Sequence, residues 1–319
     1  MDIAMTVLYQ AIVMFIMIIV GYVCYRIHII SQTTNLQLSN LLLLVVNPFI
    51  IFISFQTELE ARVVSGLLTA FVLSAVSILL MMVITRIVLK KSPEMKYKVD
   101  RLACIYTNCG FFGTPLVYAM FGNEGVLYIT AYIAISNLFM WTQGIGIFTG
   151  KMKASELVNC LKAPTIIAIL LGVILFFFQI RLPNVVYDPI NFIGSMNSPL
   201  AMIVAGAFIA QTNILKAFTK VRFYAVSAVR LLLIPVICAT IFAFLPVGEM
   251  VALTVLMGAA APPAVAIMMF AARHKCDELY AAELFSVCTL IGIVSIPLIC
   301  FFYQWLHSLL LPLIPYLVK

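Results

Sequence analysis

The sequence predicts an all-α integral membrane protein of ten transmembrane helices, arranged as a five-plus-five inverted repeat with two broken helices crossing at mid-depth. Three observations carry that reading: the apolar content, the alternation of basic residues between successive breaks, and prolines that recur in register between the two halves. Of the 319 residues, 64% are hydrophobic and 10% are charged, against about 25% charged in a soluble domain. The mean hydropathy is +1.15. Apolar runs of about 20 residues, at ~1.5 Å per residue, match a ~30 Å hydrocarbon layer. A membrane β-barrel would need short alternating segments instead.

The spans run approximately 3 to 25, 36 to 55, 63 to 86, 102 to 121, 125 to 148, 163 to 179, 189 to 211, 223 to 245, 250 to 271 and 279 to 306. Span 1 follows Asp2 with no basic residue before it and is too long for a signal core, so it reads as a retained helix. The loops after spans 1, 3, 5, 7 and 9, with their adjoining helix ends, hold fifteen of the nineteen Lys and Arg. The opposite side holds only Arg62, Arg181 and Lys319, and Arg230 lies within span 8. By the positive-inside rule the basic loops are cytoplasmic, which places both termini outside the cytoplasm of a multi-pass protein of the plasma (inner) membrane. The formal net charge of +7 therefore reports orientation, and no nucleic-acid partner is expected.

Span 2 carries Asn47-Pro48 and span 7 carries Asn197-Ser198-Pro199; span 4 carries Pro115 and span 9 carries Pro262-Pro263. Pro199 follows Pro48 by 151 positions and Pro263 follows Pro115 by 148, an offset of five spans. Five is odd, so the second half enters from the opposite side, as in the inverted repeats of secondary transporters. The domain division is then residues 1–149 for spans 1 to 5, a short cytoplasmic linker at 150–162, and residues 163–319 for spans 6 to 10. Proline is also frequent in membrane helices as an ordinary kink, and it is the register of four that argues for function.

A proline inside a helix frees a carbonyl one turn back, and unsatisfied backbone is tolerated at this depth only under cover of protein or beside a water-filled cavity. In Gly113-Thr114-Pro115 the threonine suits an N-cap and the proline the first helical position, so span 4 is expected to stop near Gly110 to Gly113 and restart. In span 9, Gly258 and Ala259-Ala260-Ala261 precede Pro262 and Pro263, small residues that permit a close crossing. The restarted half-helices present free amides and positive dipole ends to a small anion. Asn108, and Asn137 on span 5, add directional hydrogen bonds or serve as interhelical amides; Asn47 and Ser54 of span 2 complete the candidate substrate set. No Asp, Glu or His falls within the broken stretches of spans 4 and 9, which argues against cation coupling through the crossing itself. Arg230 and Glu283 are expected at similar depth, as an ion pair that is either a structural bridge or part of a proton relay.

The eight cysteines are scattered without a CxxC and read as small buried apolar side chains, so no disulfide or metal site is expected. His28, His274 and His307 lie at helix ends, and no acid, Ser-His or metal-ligand constellation of an intramembrane protease is present. No enzyme and no cofactor is expected.

Asn108 to Gly122, the Pro48 region, and GAAAPPAVAIMMFA followed by SVCTLIGIVSIPL resemble the auxin efflux carrier family, which includes plant PIN-FORMED carriers and bacterial permeases proposed for malate and malonate. The resemblance runs over nearly the whole chain. It implies a fold similar to bile-acid symporters and sodium/proton antiporters, with a scaffold of spans 1, 2, 6 and 7, a transport unit of spans 3 to 5 and 8 to 10, an elevator-like movement, and a homodimer through the scaffold. It also implies that Asn108, Asn137 (four before Trp141), Pro115 and Pro263 lie at the substrate site. The loop between spans 5 and 6 is reduced to GKMKAS and its surroundings, and Thr142 stands where an aromatic is usual, which argues against an indole-sized substrate. The expected function is secondary transport of a mono- or dicarboxylate, with the lipid bilayer as the other partner and a proton ahead of sodium as coupling ion. A ligand sensor or a channel of the same fold is the alternative.

Overall fold

The computed structural model describes residues 3–89, 95–149, 161–273 and 277–310. Most of the expected linker, together with Lys90, Lys91, Lys151, Lys153, Cys160, His274, Lys275, Cys276 and Lys319, lies outside the described residues. The described chain is helical, with one isolated backbone bridge and no named strand. Its helices are α1 (Ile3–Arg26), α2 (Gln32–Ser54), α3 (Ala61–Val88), α4 (Met95–Ile105), α5 (Cys109–Ile147), α6 (Pro164–Phe177), α7 (Asn184–Ala210), α8 (Val221–Ala243), α9 (Glu249–Ala260), α10 (Ala266–Arg273) and α11 (Glu278–Leu310). Seven of them, α1, α2, α3, α5, α7, α8 and α11, are long and apolar enough to cross a membrane, and α6 and α9 are shorter apolar helices. The chain is a multi-pass membrane protein.

These helices are apolar all round because they face protein on one side and lipid on the other. In α1, Met14 and Ile18 are buried while Ile12, Ile16 and Ile19 are exposed. At 39 residues, α5 would extend roughly 58 Å, about twice the hydrocarbon thickness. It is bent at Gly122, whose φ of 61° lies where only glycine sits without strain. Beyond that bend, Gly125 to Ile133 are buried without interruption, and this stretch forms the centre of the molecule.

Three prolines are accommodated by one device. The π turns Leu42–Val46, Cys109–Gly113 and Val229–Leu233 each end two residues before a proline: Pro48, Pro115 and Pro235. A π turn widens the ladder by one residue, which relieves the clash between the proline ring and the carbonyl a turn back and leaves its missing donor unneeded. In α7 the same demand is met by a break at Met196, ahead of Pro199.

Close packing brings α1 onto the second half of α7. A Cβ added at Gly206 would lie 2.0 Å from the Ile18 carbonyl oxygen, and one at Gly21 would lie 2.1 Å from that of Ile203. Only two glycines let these backbones touch. The end of α2 packs on α6 and on the start of α7, while α3, α5 and α9 pack on one another, and α8 packs on α9 and α11.

Candidate functional site

Two helices stop inside the molecule. Helix α4 ends at Ile105, the chain is non-helical from Tyr106 to Asn108, and helix resumes at Cys109; α9 ends at Ala260 and helix resumes at Ala266. The two gaps lie against each other as a short antiparallel ribbon. Thr107 bridges Pro263, the Asn108 amide donates to the Pro262 carbonyl at 2.7 Å, and the Ala264 amide donates to the Tyr106 carbonyl at 3.0 Å. Each gap thus satisfies backbone groups that the other leaves open, as burial at this depth requires. The space for the approach comes from small residues: a Cβ on Gly258 would meet the Tyr132 ring at 2.8 Å.

The first break lies earlier than the expected stop at Gly110 to Gly113, and Thr114 is not an N-cap. Gly113 is helical, and the Thr114 hydroxyl donates back to the Cys109 carbonyl at 3.3 Å. Pro115 is absorbed by the π turn, so the stop comes from pairing with the Pro262 to Ala264 segment rather than from the glycines.

Arg230 is fully buried behind the ribbon. The expected pair with Glu283 does not form. Nη2 donates to the carbonyls of Ala259 (2.7 Å) and Ala261 (2.5 Å), and Nη1 donates to that of Cys104 at 3.5 Å. These are the carbonyls left over where α9 and α4 end, and a guanidinium with five donors in a fixed fork can serve several at once. Glu283 accepts instead from Lys220, whose long side chain reaches it from a more exposed position.

On the other side of the ribbon lies a cavity of about 750 Å³. The restart of α5 lines it through Asn108, Cys109, Gly110 and Phe111, and the restart of α10 through Ala264, Val265 and Ala266. Both half-helices therefore direct first-turn amides and positive dipole ends at one space. Asn108 is 7% exposed and lines the cavity, and its side chain has no protein partner among the described residues. Asn137 and Asn47 line the same space. Asn47 and Asn197, the asparagines beside Pro48 and Pro199, both approach Gly110: Asn197 Nδ2 donates to its carbonyl at 3.4 Å, and a Cβ at Gly110 would lie 3.4 Å from Asn47 Nδ2. Each of these two asparagines keeps an unpartnered amide oxygen. From the crossing the cavity extends to Tyr25, Gln32, Gln211 and Glu278, at the ends of α1, α2, α7 and α11.

The remaining expected residues fall elsewhere. Gly113, Thr114, Pro115, Pro262 and Pro263 are buried beside the cavity without lining it; they shape the crossing. Ser54 is fully buried with its hydroxyl donating to the Ile51 carbonyl at 2.6 Å, away from the cavity. Of the stripe Gln32, Leu36, Ser39, Asn40, Leu43 and Asn47, which lines the cavity along α2, sequence reasoning named Asn47 and missed the other five. Ser39 and Asn40 are adjacent and the other members recur every three to four residues, the period of one helix face, which was the available signal. Ser136 was missed next to Asn137, as was Thr107 next to Asn108.

A model of the family described as "Membrane transport protein" matches residues 6–160 and 148–300. The chain is also similar to the uncharacterized transporter MJ1031 of Methanocaldococcus jannaschii, with 24% identity over 204 residues, 61% of this chain and 66% of that one. The match spans just under two thirds of the relative's length. A transporter family, two helices broken at one crossing and a cavity beside it lined by asparagines agree, and the chain belongs to the membrane transport proteins of the auxin efflux carrier family.

Proposed function

We propose that the protein is a secondary carrier of a small organic anion, a mono- or dicarboxylate, bound where the restarts of α5 and α10 meet the cavity. The observation that carries this reading is Asn108. A buried polar side chain normally has a partner, and this one faces the cavity without one, at the head of a half-helix whose first-turn amides line the same space. Neutral amides and helix dipoles hold a carboxylate without a fixed countercharge that would trap it.

Ten crossings follow if α5 is divided at Gly122 and α6 and α9 are counted as spans, and the halves 1–149 and 163–319, joined by the linker 150–162, then form an inverted repeat. The packing supports a scaffold of α1, α2, α6 and α7 beside a transport unit of α3, α4, α5 and α8 to α11, moving as an elevator. With both termini outside the plasma membrane, the cavity mouth at Tyr25, Gln32, Gln211 and Glu278 faces the cytoplasm. Exposed Phe177 and Phe178 at the end of α6 and Phe192 on α7 offer an apolar scaffold face to lipid or to the second copy of a homodimer.

An interior-negative potential favours anion export by ~2.3 kcal/mol per charge per 100 mV, so export needs no coupling ion. Import does, and a proton is proposed ahead of sodium. Purified protein in liposomes, loaded with labelled propionate, lactate, malonate or malate, is expected to show saturable flux for at least one acid. Absence of flux across that panel would refute the carrier reading, and currents far above carrier turnover would replace it with a channel.

A further inference from the structure

Each broken helix contributes two ends to the crossing. The carboxyl ends of α4 and α9 carry negative partial charge, and the amino ends of the α5 and α10 restarts carry positive partial charge, about half an elementary charge at each end. Left alone, the four would nearly cancel, and a nearby anion would feel little. Arg230 changes that balance. Its guanidinium binds the carbonyls of Cys104, Ala259 and Ala261, all at the negative pair of ends, and it forms no ion pair among the described residues. Buried charge is normally compensated by opposite charge; here the compensation is the roughly one unit of negative charge that the two carboxyl ends supply.

We infer that Arg230 is a positioning residue that cancels the negative ends of the two half-helices, so that their positive ends, about one unit of charge together, set the charge of the cavity at the crossing, away from Glu278 at its mouth, and select a singly charged anion there. The inference rests on the proposed carrier function and adds the charge class of its substrate. A monocarboxylate matches the amides of Cys109 to Phe111 and of Val265 and Ala266 in charge, with Asn108 as a neutral hydrogen-bonding partner. A dianion would leave about one negative charge uncompensated in a poorly solvated site. The same guanidinium fixes the geometry, because it ties the end of α4 to the end of α9 and so holds both restarts in register.

The test uses the full chain in proteoliposomes and three probes at pH 7.5: propionate as monoanion, propionamide as its neutral analogue and malonate as dianion, each measured as an inhibition constant for flux of a labelled acid. Wild type is expected to prefer propionate at least about tenfold over both others. Arg230→Met is expected to shrink the propionate-to-propionamide ratio to about threefold or less by weakening propionate alone, and Arg230→Lys to restore most of it. A purely structural role would weaken both probes together and leave the ratio unchanged, which would overturn the inference. Malonate binding as well as propionate in wild type would also overturn it, whether or not Arg230→Met folds. If no acid binds or moves, the carrier reading falls as well; if acids move without charge preference, only this inference falls.

Discussion

Asn108 and Arg230 sit on opposite sides of one ribbon and show how differently side chains announce themselves. Asn108 was legible because an amide in a charge-free run stands out. Arg230 stood out too, but its partners did not: backbone carbonyls have no signature in a sequence, and the nearest acid at similar depth, Glu283, was the natural and mistaken choice. Glu283 is buried with Lys220 as partner and does not line the cavity, so its part is to tie the short segment before α8 to α11. Glu283→Gln is expected to lower stability by about 1–3 kcal/mol, the worth of a hydrogen bond to a charged group, read as a reduced unfolding midpoint in detergent, with the pH profile of transport unchanged. A flattened pH profile would instead make Glu283 part of a proton path.

The helices were legible as apolar runs, and the break after Ala260 as Pro262-Pro263, because membrane insertion and backbone satisfaction impose both. What was not legible was how each proline is accommodated. A π turn needs no special residue: Leu42–Val46 holds only ordinary membrane aliphatics, and Val229–Leu233 holds aliphatics beside Arg230. The stop after Ile105 was likewise hidden, since Tyr106 and Thr107 are not helix breakers and leave the helix only by pairing with Pro262 to Ala264. At the crossing of α1 and α7 the requirement is strict: Gly206→Ala places a methyl 2.0 Å from the Ile18 carbonyl oxygen, and overpacking of this kind costs about 1–3 kcal/mol. The variant is expected to unfold at a lower temperature with its substrate affinity unchanged in the folded fraction; an unaltered midpoint would show that the two helices separate freely.

Across the whole molecule, the breaks do what continuous helices cannot. Two helical segments interrupted at one place satisfy each other's backbone and turn their positive ends to a cavity lined by asparagines, while Arg230 takes up the negative ends. The α2 stripe from Gln32 to Asn47 extends that cavity to one end of the bundle. The measurement closest to this account is flux of a labelled monocarboxylate into proteoliposomes of wild type and Asn108→Ala, with the interior held positive or negative. Wild type should show saturable flux that the positive interior speeds and the negative interior slows, and Asn108→Ala should raise the half-saturation concentration about tenfold or more, in keeping with loss of a hydrogen bond to a charged ligand. Flux indifferent to potential, or an Asn108→Ala carrier indistinguishable from wild type, would contradict it.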